Sequence, residues 1–122
     1  MRIPRSMFAD VAKLLSLMGV QTLQAKSEAE AQAAYLTTIG SLDAVATEDM
    51  DAIVFGARCM IRGLDIAAKG IIVITTSKVL AGLKITRAEF IDLCILLGSD
   101  YTAATLPGIG YARSIQKIRE YH

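Results

Sequence analysis

The sequence is poor in the residues that build several common kinds of site. Its 122 residues include no tryptophan, one histidine, two cysteines and two prolines. So few aromatic residues give no sign of a base-stacking platform. Two cysteines, Cys59 and Cys94, are too few for a disulfide framework or a thiolate metal site, so we expect a reducing compartment. The only histidine, His122, is given no role, and 53% apolar content predicts one compact domain.

Long apolar runs and a strong net charge are also missing. Mean hydropathy is +0.45, but the run from Ile71 to Ile74 is far shorter than the roughly 18 residues that a membrane span needs, so we expect no membrane partner. Net charge is +1, yet residues 27–57 contain no Lys or Arg. The acidic residues of that stretch are Glu28, Glu30, Asp43, Glu48, Asp49 and Asp51. From composition alone, such a run is a solvated acidic face.

Apolar periodicity predicts helices that alternate with short strands. The predicted helices cover 7–18, 27–39, about 47–56, 77–83, 86–97 and the residues from 111 onward, and the predicted strands cover 20–24, 44–46, 58–64 and 70–75. Capping boxes mark two helix starts, with Ser27 and Glu30 at one and Thr86 and Glu89 at the other. The alternation predicts an α/β fold with a mostly parallel sheet flanked by helices.

Two pairs of carboxylates follow predicted strands. Glu28 and Glu30 come after the first strand, and Asp49 and Asp51 come after the second. Ligands of open α/β sheets bind outside the carboxyl ends of the strands, so we expect both pairs at one sheet edge. Residues two apart on a regular helix diverge by about 200°, so at least one member of such a pair must lie at the irregular first turn. Oxygen-only ligation of this kind favours Mg²⁺ or Mn²⁺.

Simpler interpretations exist for each of these acids. Carboxylates in a first helical turn stabilise the helix macrodipole by about 0.3–1 kcal/mol each. Asp100, in a predicted loop after Gly98, has the ordinary role of a turn former. A receiver-like α/β signalling domain would also bind Mg²⁺ through acids, but it leaves the Pro-Gly-Ile-Gly segment at 107–110 unexplained.

Four motifs taken in order are more specific than any single pair. They are Ser-Glu-Ala-Glu-Ala-Gln at 27–32, Thr-Glu-Asp-Met-Asp at 47–51, Leu-Cys-Ile-Leu-Leu-Gly-Ser-Asp-Tyr at 93–101 and Pro-Gly-Ile-Gly at 107–110. Together they resemble the flap endonuclease family, the XPG-like structure-specific 5′ nucleases, and in particular its internal nuclease region. The resemblance implies a divalent-metal-dependent endonuclease that cleaves branched, flap-containing DNA in nuclear repair and replication.

The resemblance also implies roles for individual residues. The carboxylates that match the family's catalytic metal ligands, which would hold two Mg²⁺ ions with Mn²⁺ as a substitute, are Glu28, Glu30, Asp49, Asp51 and Asp100. The turn and helix that match its DNA-gripping helix-hairpin-helix element contribute Gly108, Ile109, Gly110, Arg113 and Lys117, with Arg119 as a further cation. Glycines let a backbone approach phosphate closely, and the cations add salt-sensitive attraction. Ser114 stands where the family commonly has alanine, which should matter little for packing.

The same resemblance divides the chain and shows what it lacks. Residues 1–97 would form a partial catalytic domain, and residues 98–122 the start of the helix-hairpin-helix element. The family's N-terminal portion, with two further metal-binding aspartates and the arch, has no counterpart, so we expect that portion to act in cis or in trans. We also expect an uncovered sheet edge and apolar face. The alternative function is a non-catalytic DNA-binding module in which only the hairpin element acts.

Overall fold

The computed structural model describes residues 4–64, 70–98, 108 and 110–121 of the chain. The helices and strands of these residues are α1 (Arg5–Leu17), α2 (Ala29–Thr38), β1 (Val45–Ala46), α3 (Asp51–Phe55), β2 (Cys59–Arg62), β3 (Ile72–Thr75), α4 (Thr76–Leu83), α5 (Arg87–Leu97) and α6 (Tyr111–Tyr121). Helices and strands alternate from α2 to β2, and β3 then leads into α4, which confirms the predicted α/β class. No helix among the described residues is long and apolar enough to cross a membrane.

The three described strands form one mixed sheet in the order β1-β2-β3. β1 is parallel to β2, with Val45 opposite Met60. β3 is antiparallel to β2, with Cys59 opposite Thr75, so the prediction of a mostly parallel sheet is wrong for this pair. Only residues 63–71 connect the two strands, and a parallel connection needs a dozen residues or more.

Two local predictions near α2 are also wrong. Residues 20–24 form no strand and are irregular. The capping box at Ser27 and Glu30 is not formed, because α2 begins at Ala29 with Glu28 as its N-cap and no side-chain hydrogen bond at that position. The helix therefore starts one residue later than the predicted box requires, and Ser27 precedes its N-cap.

The second capping box is confirmed. Thr86 is the N-cap of α5, and its hydroxyl oxygen accepts the Glu89 N–H at 3.3 Å. The Glu89 carboxylate in turn accepts the Thr86 N–H. These two bonds satisfy backbone groups that the start of a helix otherwise leaves without partners.

Two hydrophobic clusters form the core. The first lies between α2, α3, β1 and β2, and its buried members are Ala34, Val45, Ala52, Ile53, Ala57 and Met60. The second joins α5 to α6, and its buried members are Ile85, Leu93 and Ile118. Phe90 of α5 packs against both clusters. Three of the six buried members of the first cluster are alanines, and the small side chains of Ala34 in α2 and Ala52 in α3 let these helices approach each other closely.

Residues 53–58, where α3 ends and β2 begins, receive polar contacts from other helices; we call this stretch the α3–β2 junction. The buried Thr37 hydroxyl of α2 accepts the Arg58 N–H at 3.0 Å. The buried Thr76 hydroxyl of α4 donates to the Ala57 carbonyl, and the Thr76 N–H donates to the Arg58 carbonyl at 3.1 Å. Side chains from separate helices thus satisfy backbone groups of the junction.

An uncovered apolar surface is present, as the sequence predicts. β3 lies at an edge of the described sheet, and Ile72 and Val73 are 59% and 61% exposed. Successive side chains of a strand point to opposite faces, so neither face of β3 is covered at these two residues. The exposed apolar side chains of α1 are Met7, Phe8, Val11, Leu14 and Leu17.

The Thr37 contact gives a test of the junction. Thr37→Val keeps the shape of the side chain but leaves the Arg58 N–H without its acceptor, so we expect a loss of about 1–3 kcal/mol in the free energy of unfolding. Urea unfolding followed by circular dichroism measures it. The control is Thr38→Val, because the exposed Thr38 hydroxyl donates to the Tyr35 carbonyl of its own helix and not to the junction. Equal losses in the two variants would contradict the role of Thr37.

The uncovered edge strand predicts self-association. Exposed apolar edge strands pair with other chains, and a charged side chain on the edge prevents this. We expect sedimentation velocity to show oligomers of the isolated chain that Val73→Lys reduces. Ala81→Lys adds the same charge at an exposed position of α4 and should leave the oligomers unchanged. A monodisperse wild-type monomer would contradict the prediction.

Candidate functional site

The glutamate pair lies at the start of α2. Glu28 is the exposed N-cap residue with extended backbone, and Glu30 lies half-buried in the first turn of the helix. The expectation that at least one member lies at the irregular start of a helix is therefore confirmed. The expectation that the pair follows a strand is wrong, because the residues before it form none.

The aspartate pair lies on the turn from β1 into α3, which confirms that it follows a strand. The Thr47 hydroxyl oxygen accepts the Asp49 N–H at 3.1 Å, and Asp49 Oδ1 accepts the Asp51 N–H at 2.9 Å. Asp49 is exposed and precedes the helix, whereas Asp51 is half-buried and is the first residue of α3. Two successive side-chain bonds thus hold the backbone that carries both carboxylates.

Glu48, between Thr47 and Asp49, fastens the same turn to the end of β2. Its Oε1 accepts the Gly63 N–H at 2.7 Å, and its Oε2 accepts the Arg62 Nε–H at 3.2 Å. The ion pair between Glu48 and Arg62 is largely exposed to solvent, so it contributes little to stability. The hydrogen bond to the Gly63 backbone is what holds the turn in place. From the sequence, Glu48 was only one acid of the solvated run, and the partner of its carboxylate, 15 residues away, could not be read.

In the described residues the predicted ligands occur as two pairs, Glu28 with Glu30 and Asp49 with Asp51. Among the residues that the structure describes, no group of three or more His, Cys, Asp or Glu side chains could hold a metal ion. Asp100, the fifth predicted ligand, lies outside the described residues. Mg²⁺ is typically bound by one or two carboxylates together with waters and substrate phosphates. The oxygen donors of Asp49 and Asp51 fit that chemistry, and the five-carboxylate site stays a prediction.

A cleft of about 280 Å³ lies beside the aspartate turn. Its lining includes Asp51 at the start of α3 and Cys94 and Gly98 from the end of α5. Burial raises the pKa of the half-buried Cys94 thiol, the negative charge of Asp51 raises it further, and the Arg87 cation opposes both. In the sequence, Gly98 precedes Asp100 by two residues. The cleft therefore joins one predicted ligand to the segment that leads to another.

The predicted hairpin is described only in part. Ile109 lies outside the described residues, whereas Gly108 has a φ of +77°, which favours glycine. Among the described residues, no atom beyond the chain neighbours lies within 4 Å of the position that a Cβ at Gly108 or Gly110 would occupy. The Arg113 guanidinium donates to the Gly108 carbonyl at 3.0 Å. This bond ties the turn to the first residues of α6.

The cations of α6 lie on different sides of the helix. Arg113 and Lys117 are exposed and four residues apart, so they share a face. The Lys117 ammonium lies 5.4 Å from the centre of the Tyr121 ring. Arg119 points elsewhere and donates to the Leu83 carbonyl of α4 at 2.5 Å. The cations available to the predicted DNA-binding surface are therefore Arg113 and Lys117, whereas Arg119 connects α6 to α4.

Ser114 is fully buried beneath that surface. Its N–H and its hydroxyl both donate to the Gly110 carbonyl, at 3.0 and 3.2 Å. Because the hydroxyl has a partner, it can replace an alanine methyl group without leaving a buried polar atom unsatisfied.

Comparison with known proteins gives consistent matches across the chain. Residues 19–100 match the family model described as the XPG I-region. The flap endonuclease 1 of Leishmania braziliensis is 45% identical over 123 residues, which cover 98% of this chain and 31% of that protein. The flap endonuclease 1 of Pyrococcus furiosus is 38% identical over 130 residues, which cover 97% of this chain and 38% of that protein.

Solved structures show the same relation. The flap endonuclease-1 from Methanococcus jannaschii superposes with a TM-score of 0.89 at 35% identity, over 97% of this chain and 38% of that one. The catalytic core of Rad2 in complex with a DNA substrate superposes with a TM-score of 0.90 at 32% identity, over 98% of this chain and 38% of that one. The chain thus spans about a third of the length of the proteins it matches.

The proximity of the Asp51 carboxylate to Cys94 can be tested by the reactivity of the Cys94 thiol. In Asp51→Asn the negative charge that raises the pKa of Cys94 is lost, so the pKa falls and the thiolate fraction at about pH 8 rises. We expect faster alkylation of Cys94 by iodoacetamide, followed by mass spectrometry of its peptide. Asp43→Asn, in an exposed loop, should leave the rate unchanged. An unchanged or slower rate in Asp51→Asn would place the carboxylate away from the thiol.

Proposed function

Because the chain belongs to the XPG I-region family, we propose that it is the internal nuclease region of a structure-specific DNA endonuclease. The observation that carries the proposal is the turn from β1 into α3, where Asp49 and Asp51 are held in sequence by side-chain hydrogen bonds. Residues 1–97 form the partial catalytic domain in this proposal, and residues 98–122 begin the DNA-binding element.

The metal-binding residues of the proposed site are all carboxylates, namely Glu28, Glu30, Asp49, Asp51 and Asp100. They would hold two Mg²⁺ ions, for which Mn²⁺ can substitute. When bound, the ions supply an activated water and neutralise charge on the departing oxygen of the phosphodiester. The exposed Asp49 faces solvent, and the half-buried Asp51 lines the cleft that reaches Gly98. The carboxylates would fix the place of the reaction.

DNA is the proposed partner, and the preferred substrate is a duplex with a 5′ flap. Gly108, Ile109 and Gly110 would place backbone amides against a phosphate at the start of α6. Arg113 and Lys117 would add attraction that does not depend on base sequence and weakens with salt. The solved catalytic core of Rad2, which matches 98% of the present chain, is in complex with a DNA substrate.

The proteins that the chain matches are about three times its length. We propose that full activity needs the N-terminal nuclease portion, supplied in cis or in trans, and that the complete enzyme acts in DNA repair and replication in the nucleus.

Cleavage of labelled 5′-flap DNA in Mg²⁺ or Mn²⁺ tests the proposal. We expect little cleavage by the isolated chain and cleavage at the junction after addition of the N-terminal portion of a flap endonuclease 1. Asp49→Asn should lower that cleavage by more than about 100-fold, since even residues behind metal ligands cost 10–100-fold. Asp43→Asn, from the same acidic stretch but in neither pair, should retain it.

The remaining outcomes separate the alternatives. Strong cleavage by the isolated chain would contradict its incompleteness, and cleavage that survives Asp49→Asn would contradict the metal role. Fluorescence anisotropy with duplex DNA isolates the binding element: Arg113→Glu should weaken binding and Asp49→Asn should not. DNA binding with no cleavage under any condition, even with the N-terminal portion, would favour a non-catalytic DNA-binding module.

A further inference from the structure

Arg87, in the first turn of α5, makes an unusual contact with α3. Its guanidinium donates to the Ile53 carbonyl at 3.0 Å and to the Val54 carbonyl at 2.5 Å. Both carbonyls belong to the last turn of α3, where carbonyls lack the regular helical hydrogen bond and carry partial negative charge. The Ile53 carbonyl also accepts the N–H of the C-cap residue Gly56 at 3.1 Å. A cation from a different helix therefore closes the end of α3.

The backbone opposite Arg87 is adapted to this contact. Gly56 ends α3 in the left-handed region, with a φ of +110°. A Cβ at Gly56 would lie 3.1 Å from Arg87 Nη2. Glycine thus provides both the conformation of the turn and the room for the guanidinium.

The contact acts at a short distance from the aspartate pair. α3 has five residues, so its start and end are about 7.5 Å apart, at 1.5 Å per residue. A helix this short has no stability of its own and takes its position from its neighbours. Asp51 is its first residue, and Asp49 is bonded to the Asp51 N–H. A movement of the end of α3 must therefore move both carboxylates.

The same helix that carries Arg87 also forms the other side of the cleft. Cys94 and Gly98 of the α5 segment line the cleft together with Asp51. Arg87 therefore fixes the spacing between the aspartate turn and the wall that leads to the Gly-Ser-Asp-Tyr motif at 98–101.

We infer that Arg87 is a positioning residue for metal binding: by holding the last turn of α3 against α5, it sets the place of the Asp49 and Asp51 carboxylates. The inference rests on the proposed function, because it assumes that these carboxylates bind a divalent ion. Arginine suits this role better than lysine, because the guanidinium presents two nitrogens in a rigid planar fork, one for each carbonyl, whereas a lysine has a single nitrogen on a flexible stem.

The test is the affinity of the chain for Mn²⁺, measured from the electron paramagnetic resonance signal of the free ion. We expect Arg87→Ala to raise the dissociation constant by about tenfold, the lower end of what residues behind metal ligands contribute. Arg87→Lys, which keeps the charge and one of the two bonds, should lie between Arg87→Ala and wild type. Thermal unfolding of every variant is measured first, so that Mn²⁺ affinity is compared at a temperature at which all the variants are folded.

Two controls separate positioning from general stability and from the metal site itself. Ile118→Val should lower the melting temperature without changing Mn²⁺ affinity, because Ile118 packs in the second cluster, which contains no residue of α3. Asp51→Asn removes a proposed ligand and should weaken Mn²⁺ binding more than Arg87→Ala does.

Each outcome decides one question. Unchanged affinity in both Arg87 variants, with binding lost in Asp51→Asn, would overturn the role of Arg87 and leave the proposed function intact. Equal losses in Ile118→Val and Arg87→Ala would reduce Arg87 to a stabilising residue and overturn its positioning role. Mn²⁺ binding that Asp51→Asn does not weaken would reject the aspartate site, and the positioning role with it. Should Arg87→Ala fail to fold, Arg87→Lys alone decides by the same criterion.

Discussion

The arrangement of the helices around the sheet depends on one short stretch of backbone, the α3–β2 junction at 53–58. Thr37 of α2, Thr76 of α4 and Arg87 of α5 each bond to it. The adjacent core consists largely of alanine and aliphatic side chains, and the attraction between such side chains has no direction. Directional hydrogen bonds from three helices therefore determine how the helices are oriented on this core.

The candidate site inherits its geometry from this junction. α3 connects the aspartate turn at one end to the junction at the other, and Glu48 attaches the beginning of the turn to Gly63 after β2. The carboxylates of Asp49 and Asp51 can thus be partly exposed and yet fixed. Such a site would be accessible to the proposed phosphate substrate without relying on the mobility of its carboxylates.

Local sequence signals predicted most of the helices and the capping box at Thr86, because those features depend on neighbouring residues. The antiparallel pairing of β3 was also readable, from the short connection at 63–71, but alternation alone suggested a parallel sheet. The contacts of Thr37 and Arg87 join residues 21 and 33 or 34 positions apart. No periodicity or motif in a single sequence predicts such pairings, which form only when the tertiary structure does. The carboxylate pairs were identifiable from their motifs, whereas the groups that hold them were not.

Phe90 links the two hydrophobic clusters through a single side chain of α5. Elements that share a packed side chain cannot lose their order independently, so the two clusters should melt in one cooperative transition. Complete unfolding of the α6 side would then be accompanied by unfolding of the α3 side, whereas a small packing change that leaves both clusters folded would stay local. In evolutionary terms, substitutions on the α6 side of α5 are constrained by the requirements of the carboxylate side, and the two halves of this region cannot diverge separately.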